Sequence, residues 1–263
     1  MFEFVTYSAA KLETFFLISF RAAGLFLGAP IIGHRLIPRM VKAGLAIMLA
    51  IILIPAVGKT PIEPVKSVWL LAVLAAKEML VGFLIGFFFA LLFMAVQMAG
   101  GLVGYQIGLS LVNVLDPEMG TEVPLIGEFW FFVAALIFLA IDGHHAIISA
   151  LSDSYKIVPV ESFDFSAGAV DFIIRFSAYS FVMAIKIGAP VIITLFLTEV
   201  ALGVVARTVP QMNIFIVGLP LKIGVGILVI ATALPVFRFV IERSVEFLNS
   251  EVHRLLHGLG TAS

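Results

Sequence analysis

Apolar residues along this chain come in long blocks rather than in stripes. Six blocks predict helices of membrane length, at 14–32, 41–57, 68–98, 127–151, 169–205 and 223–241. The third and fifth exceed the roughly 20 residues that cross a bilayer, so each predicts one tilted helix or two helices meeting at a bend. Gly188 and Pro190 offer a break in the fifth, and Gly82 and Gly86, four residues apart, offer close helix packing in the third. The polar connections differ in character. Residues 33–44 are basic and broken by proline, 58–67 hold two prolines and 152–168 are polar, whereas 206–222 are apolar in the middle with prolines at both ends. Beyond Ile241 the pattern becomes amphipathic, with Val245, Leu248, Val252 and Leu255 on one helical face. The expected organisation is therefore one membrane-embedded helical domain over 1–241 and an amphipathic helix and tail over 242–263.

One stretch fits neither a spanning helix nor a water-loving linker. Residues 100–124 read GGLVGYQIGLSLVNVLDPEMGTEVP. Gly100, Gly104 and Gly108 are spaced to share one side of a helix, with Gly101 beside the first, where another backbone can come close. Leu109, Leu111, Val112, Val114 and Leu115 then form an uncharged run, and Asp116-Pro117 stops it, because a residue before proline is biased away from the helical region.

Composition fixes the class. The chain is 62% hydrophobic and 13% charged over 263 residues, more apolar surface than a soluble core of this length can hide, so an all-α integral membrane protein is expected. A net charge of -1 implies no nucleic acid or other polyanionic partner. The absence of cysteine excludes a disulfide framework and thiolate metal sites. No basic region precedes an apolar core at the start, so the first helix is expected to serve as its own insertion signal.

Charges interrupt the apolar blocks: Arg21 in the first, Lys77 and Glu78 in the third, Asp142 with His144 and His145 in the fourth, Lys186 and Glu199 in the fifth. Such groups face protein or water rather than lipid. Lys and Arg fall on both sides of a six-span arrangement, so the positive-inside rule gives little orientation. Together these features suggest helices sheathed by other protein chains. Lys77, Glu78, Lys186 and Glu199 could mark an ion pathway, but pairing with one another or with partner subunits is the expected role. Asp142, His144 and His145 have metal-ligand chemistry. Adjacent helical residues point about 100° apart, however, so capping or an interhelix contact is expected instead, with no metal and no cofactor. No phosphate loop, GxSxG or HExxH motif is present, and no enzymatic activity is expected.

Three stretches in order, QIGLSLVNVLDPEMG, FLAIDGHHAIISALSDSYKIVPV and ARTVPQMNIFIVGLPLKIGVG, with the early RAAGLFLGAPIIGHRLIPRMVKAGLA, resemble the FliR family. This family is the R subunit of the flagellar type III protein export gate, together with its injectisome counterpart. The likeness covers essentially the whole chain. It implies helical hairpins assembled with P and Q subunits, one copy of the R chain, and contact with the B subunit. The site would be the bacterial inner membrane at the flagellar basal body, where unfolded export substrates pass. It further implies that a plug spanning about residues 106–122, from Gln106 through Asp116-Pro117, projects into the channel. Where the family carries large aromatics, this chain has Leu111 and Val114, which keeps the apolar character and loses ring area. Met212, Phe215 and Ile216 form a second candidate segment for docking on neighbouring subunits or lining the constriction. The tail helix reads as a contact for Q or B subunits, or else as an interfacial membrane helix. The alternative class is a small-molecule or ion secondary transporter, against which stand the lack of an internal repeat and of a convincing midplane polar site.

Overall fold

A computed structural model describes residues 2–31, 33, 37–57, 67–109, 124–160, 167–209, 211 and 213–260. Seven helices account for nearly all of them: α1 (Phe2–Gly28), α2 (Arg39–Val57), α3 (Val68–Ile107), α4 (Leu125–Ala140), α5 (Gly143–Ile157), α6 (Ala167–Thr208) and α7 (Ile214–Gly260). The all-α expectation is met. Of the alternatives open for the third and fifth blocks, the single helix is the one found, and one break falls where none was expected. The third block is one unbroken helix of 40 residues, and the fifth runs through Pro190 as one helix of 42. The fourth block instead splits at Ile141–Asp142 into α4 and α5.

Pro55, Pro190, Pro220 and Pro235 all lie inside helices. Each removes one backbone hydrogen bond, which costs least where neighbouring helices and side chains can compensate, as in membrane helices. By length and composition α3, α6 and α7 can each cross a membrane, and the bent pair α4–α5 can supply a fourth crossing. At 1.5 Å per residue the 42 residues of α6 extend about 63 Å, roughly twice the thickness of a hydrocarbon core.

The chain folds as two compact units. The first comprises Met1–Leu91, Asp142–Phe176 and Val245–Ser263, and the second Leu92–Ile141 and Ser177–Ser244. In the first unit Leu17, Ile18 and Leu25 of α1 are buried with Ile85, Phe88 and Phe89 of α3 and Leu151 of α5. Phe88 stacks near Phe172 and meets Phe176 at a tilt, and Phe176 stacks near Phe247. In the second unit Phe93 meets Phe131 and Phe138 edge-on, and Trp130 lies against Phe237.

The tail helix is the continuation of α7, unbroken from Ile214 to Gly260. Its predicted apolar face is present, but it is occupied: Val245, Leu248, Val252 and Leu255 are all buried in the first unit. His253 Nε2 also reaches Asp153 on α5 at 3.5 Å, and Gly260 lies against the carbonyl end of Ile157. The chain covers this face with its own residues.

Candidate functional site

The odd stretch begins on a firm stem. Gly108 takes φ 96°, a conformation that favours glycine. Its N–H donates to the Tyr105 carbonyl at 3.1 Å, and the Leu109 N–H donates to the Gly104 carbonyl at 3.1 Å. That pair of bonds is a Schellman stop, so α3 ends at Ile107, well before Asp116-Pro117. Gly108 is thus a helix terminator rather than part of a packing face. Gly100 does bring backbones together: a Cβ there would lie 2.5 Å from Gly127 Cα and 2.7 Å from its nitrogen, where no methyl fits. Gly104 faces the Ile126 side chain at an ordinary 3.6 Å, and Gly101 has only Pro124 Cβ at 4.0 Å, so both leave room for a methyl group.

Two polar contacts complete the stem. Gln97 Nε2 donates to Glu128 Oε1 at 3.3 Å, tying α3 to α4. Gln106 Nε2 donates to the Ile192 carbonyl at 3.2 Å, tying the end of α3 to α6. Both flanks of the segment are held in this way within the second unit. Of the predicted plug, Gln106 and Leu109 belong to the stem. Leu111, Val112, Val114, Leu115, Asp116 and Pro117 lie outside the described residues.

The second segment is shorter than its sequence suggests. Helix α6 runs to Thr208 and α7 begins at Ile214, so most of 206–222 is helical. Phe215 and Ile216 sit in the first turn of α7, and Ile216 is exposed. Met212 lies outside the described residues.

Arg21, Glu78 and Glu199, three of the charges in the apolar blocks, find partners inside the chain. Arg21 and Glu78 are buried together, with Arg21 Nε 2.5 Å from Glu78 Oε2. Arg21 Nη1 donates to Ser154 Oγ at 3.0 Å, and both terminal nitrogens donate to the Val158 carbonyl at 3.1 Å. The guanidinium lies 4.2 Å from the centre of the Tyr155 ring, whose hydroxyl donates to the Ile18 carbonyl at 3.3 Å. One arginine therefore joins α1, α3, α5 and the residue that follows α5. Beside it the helices touch backbone to backbone. A Cβ on Gly24 would lie 2.9 Å from Phe83 N, one on Gly28 2.5 Å from the Phe83 carbonyl, one on Gly82 2.9 Å from Leu25 N, and one on Gly86 2.5 Å from the Leu25 carbonyl. Glu199 pairs with Lys222 at 2.6 Å, and Lys186 lies 5.9 Å over the Tyr179 ring. The pairing expected for Glu78 and Glu199 is thus made inside the chain, and Arg21 is no sign of a missing partner.

At the corner between α4 and α5, Asp142 takes φ 58° and makes no side-chain cap to the helix. Its carboxylate Oδ1 instead lies 3.3 Å from His145 Nδ1 and 3.9 Å from His144 Nε2. The two imidazole centres are 4.3 Å apart. The expectation that adjacent histidines diverge fails here, because a carboxylate just ahead of the helix draws both rings to one point.

These features define an all-α membrane protein built around an internal ionic node, with an apolar segment held at both ends by glycine-mediated packing. A family model described as "Bacterial export proteins, family 1" matches residues 12–248, and the chain belongs to that family. It is 37% identical over 248 residues to the flagellar biosynthetic protein FliR of Bacillus subtilis (strain 168), covering 93% of this chain and 95% of the relative. It is 32% identical to the protein of the same name from Escherichia coli (strain K12), covering 93% and 92%. It is also 30% identical to the surface presentation of antigens protein SpaR of Shigella sonnei, covering 81% and 82%.

Proposed function

We propose that this chain is the R-type subunit of a type III flagellar export gate, and that residues 106–122 form the plug across the path of unfolded substrates. It works in the inner membrane at the basal body, in a complex with P and Q subunits and in contact with a B subunit. Membership of the export family across nearly the whole chain supports the machinery. The observation that carries the plug is the stem. Gly100 against Gly127 holds together the two flanks of the segment, and the Schellman stop at Gly108 ends α3 just before its uncharged apolar run at 109–115.

The physical task explains the side chains. A gate for unfolded polypeptide must stop ions and water at rest and yield to any sequence. Apolar side chains such as Leu111, Val114 and Leu115 give a dewetting barrier without a sequence-specific contact. A rigid stem keeps the barrier in place while the segment between its ends gives way. The exposed apolar faces of α6 and α7, including Ile193, Phe196, Leu197, Leu228 and Phe239, suit lipid or the flanking subunits.

The chain has no cysteine, which makes a direct test possible. A single cysteine at Leu111 or Val114 is expected to cross-link to an export substrate stalled by a folded carboxyl-terminal tag. A cysteine at the exposed Val182 of α6 serves as the control. Cross-links at Val182 with none at Leu111 or Val114 would place the substrate elsewhere.

A further inference from the structure

We propose that Asp142, His144 and His145 form a binding site for one divalent transition-metal ion of the zinc class at the start of α5. The donor set of two imidazole nitrogens and one carboxylate oxygen suits Zn²⁺, Co²⁺ and Ni²⁺. The three ligand atoms all lie within 4.8 Å of one another. Zinc bonds of about 2.0–2.2 Å place neighbouring ligands of a tetrahedral ion about 3.3–3.5 Å apart. His145 Nδ1 and Asp142 Oδ1 already meet that spacing at 3.3 Å. His144 Nε2 stands 3.9 Å from the same oxygen, so its ring must turn towards the ion to complete the set.

The backbone holds these groups ready. Asp142 is the one non-glycine residue with positive φ among those described, and that conformation places it ahead of the helix with its carboxylate beside the first turn. Its side chain does not cap α5, and its carboxylate lies against the two imidazoles. His144 Nδ1 is buried without a hydrogen-bond partner, so no protein group holds that ring in a tautomer that would withhold Nε2. Asp142 and His145 are each 70% exposed, which leaves an ion open to water in its remaining positions. Three protein ligands with an open position is the pattern of an accessible zinc site rather than a closed structural one. The proposal does not depend on the gate assignment.

The test uses the full chain in detergent, carrying no polyhistidine tag and stripped with EDTA. Zn²⁺ is titrated against a chromophoric chelator, and Co²⁺ absorption reports the geometry. One ion per chain is expected. Losing an outer-shell partner of a metal site weakens binding roughly 10–100-fold, and losing a ligand costs at least that much, so Asp142→Asn, His144→Ala and His145→Ala should each weaken Zn²⁺ binding by about 100-fold or more. Unchanged binding in the His144→Ala/His145→Ala double variant, or no binding to the wild-type chain, overturns the proposal. Should the double variant misfold, histidine labelling of the wild type decides. Zn²⁺ is expected to protect His144 and His145 and to leave His253 and His257 reactive, and equal labelling with and without the ion overturns the site.

Discussion

Replacing Arg21 with leucine is expected to cost this protein about 3–5 kcal/mol, enough to abolish a stable fold of the first unit. The cost arises because Glu78 would remain buried as an unpaired carboxylate, and the Val158 carbonyl would lose both of its donors. Glu78→Leu strands the guanidinium in the same way. The double variant Arg21→Met/Glu78→Leu removes both charges and should recover most of the loss, since a buried ion pair contributes little net stability once both members are gone. It should not recover all of it, because Val158 still lacks a donor. Arg21→Lys should fall between, since an ammonium cannot reproduce the planar fork that reaches Glu78, Ser154 and Val158 at once. Midpoints of thermal unfolding in detergent, with steady-state levels in the membrane, check the order. Equal midpoints for Arg21→Leu and the double variant would mean that the charge pairing is not what the fold depends on.

Gly82→Val is expected to be nearly as damaging, and through the same node. A Cβ at Gly82 would collide with the backbone of Arg21 and lie 2.9 Å from Leu25 N, and neither can move as a flexible side-chain tip would. Overpacking a core costs about 1–3 kcal/mol, and a backbone clash belongs at the upper end or beyond. The displaced segment of α1 carries Arg21 itself, and Gly82 lies one turn from Glu78, the partner of Arg21. Gly82→Val and Arg21→Leu should therefore be strongly non-additive, with the double variant little worse than the worse single. Gly24→Val should behave like Gly82→Val. Gly44→Ala, where nothing lies within 4 Å of the new methyl, should be neutral within about 0.5 kcal/mol or slightly stabilising in its helix. Additive losses at Gly82 and Arg21 would separate the packing from the ion pair.

How much of this was legible depended on whether the signal was local. The long helices and the amphipathic face of the tail follow from hydropathy alone, and both are present. The pairing of Arg21 with Glu78 was not legible, because 57 residues separate them and nothing in the pattern says which helices adjoin. Gly24 and Gly28 carry the same four-residue spacing as Gly82 and Gly86, so the contact between α1 and α3 could have been read from the sequence once both pairs were set side by side. The corner at Asp142 was hidden inside an apolar run and needed a positive φ that composition does not announce. At the stem, glycine spacing pointed to close approach at Gly100, but the spacing rule could not distinguish that residue from Gly104, which meets a side chain, or from Gly108, which ends the helix. The tail shows the complementary limit: its apolar face was visible, while what covers it was set by the fold of the whole first unit.

The central claim is that the segment beyond Gly108 closes an export channel. Its most direct measurement is the permeability of cells, or of vesicles carrying the assembled complex, after deletion of residues 109–115. The deletion leaves the Gly100–Gly127 contact untouched, so the complex should still assemble. Small ions and solutes should then leak across the membrane well above the level seen with the intact chain. A complex that assembles normally and stays as tight as the intact one would contradict the account.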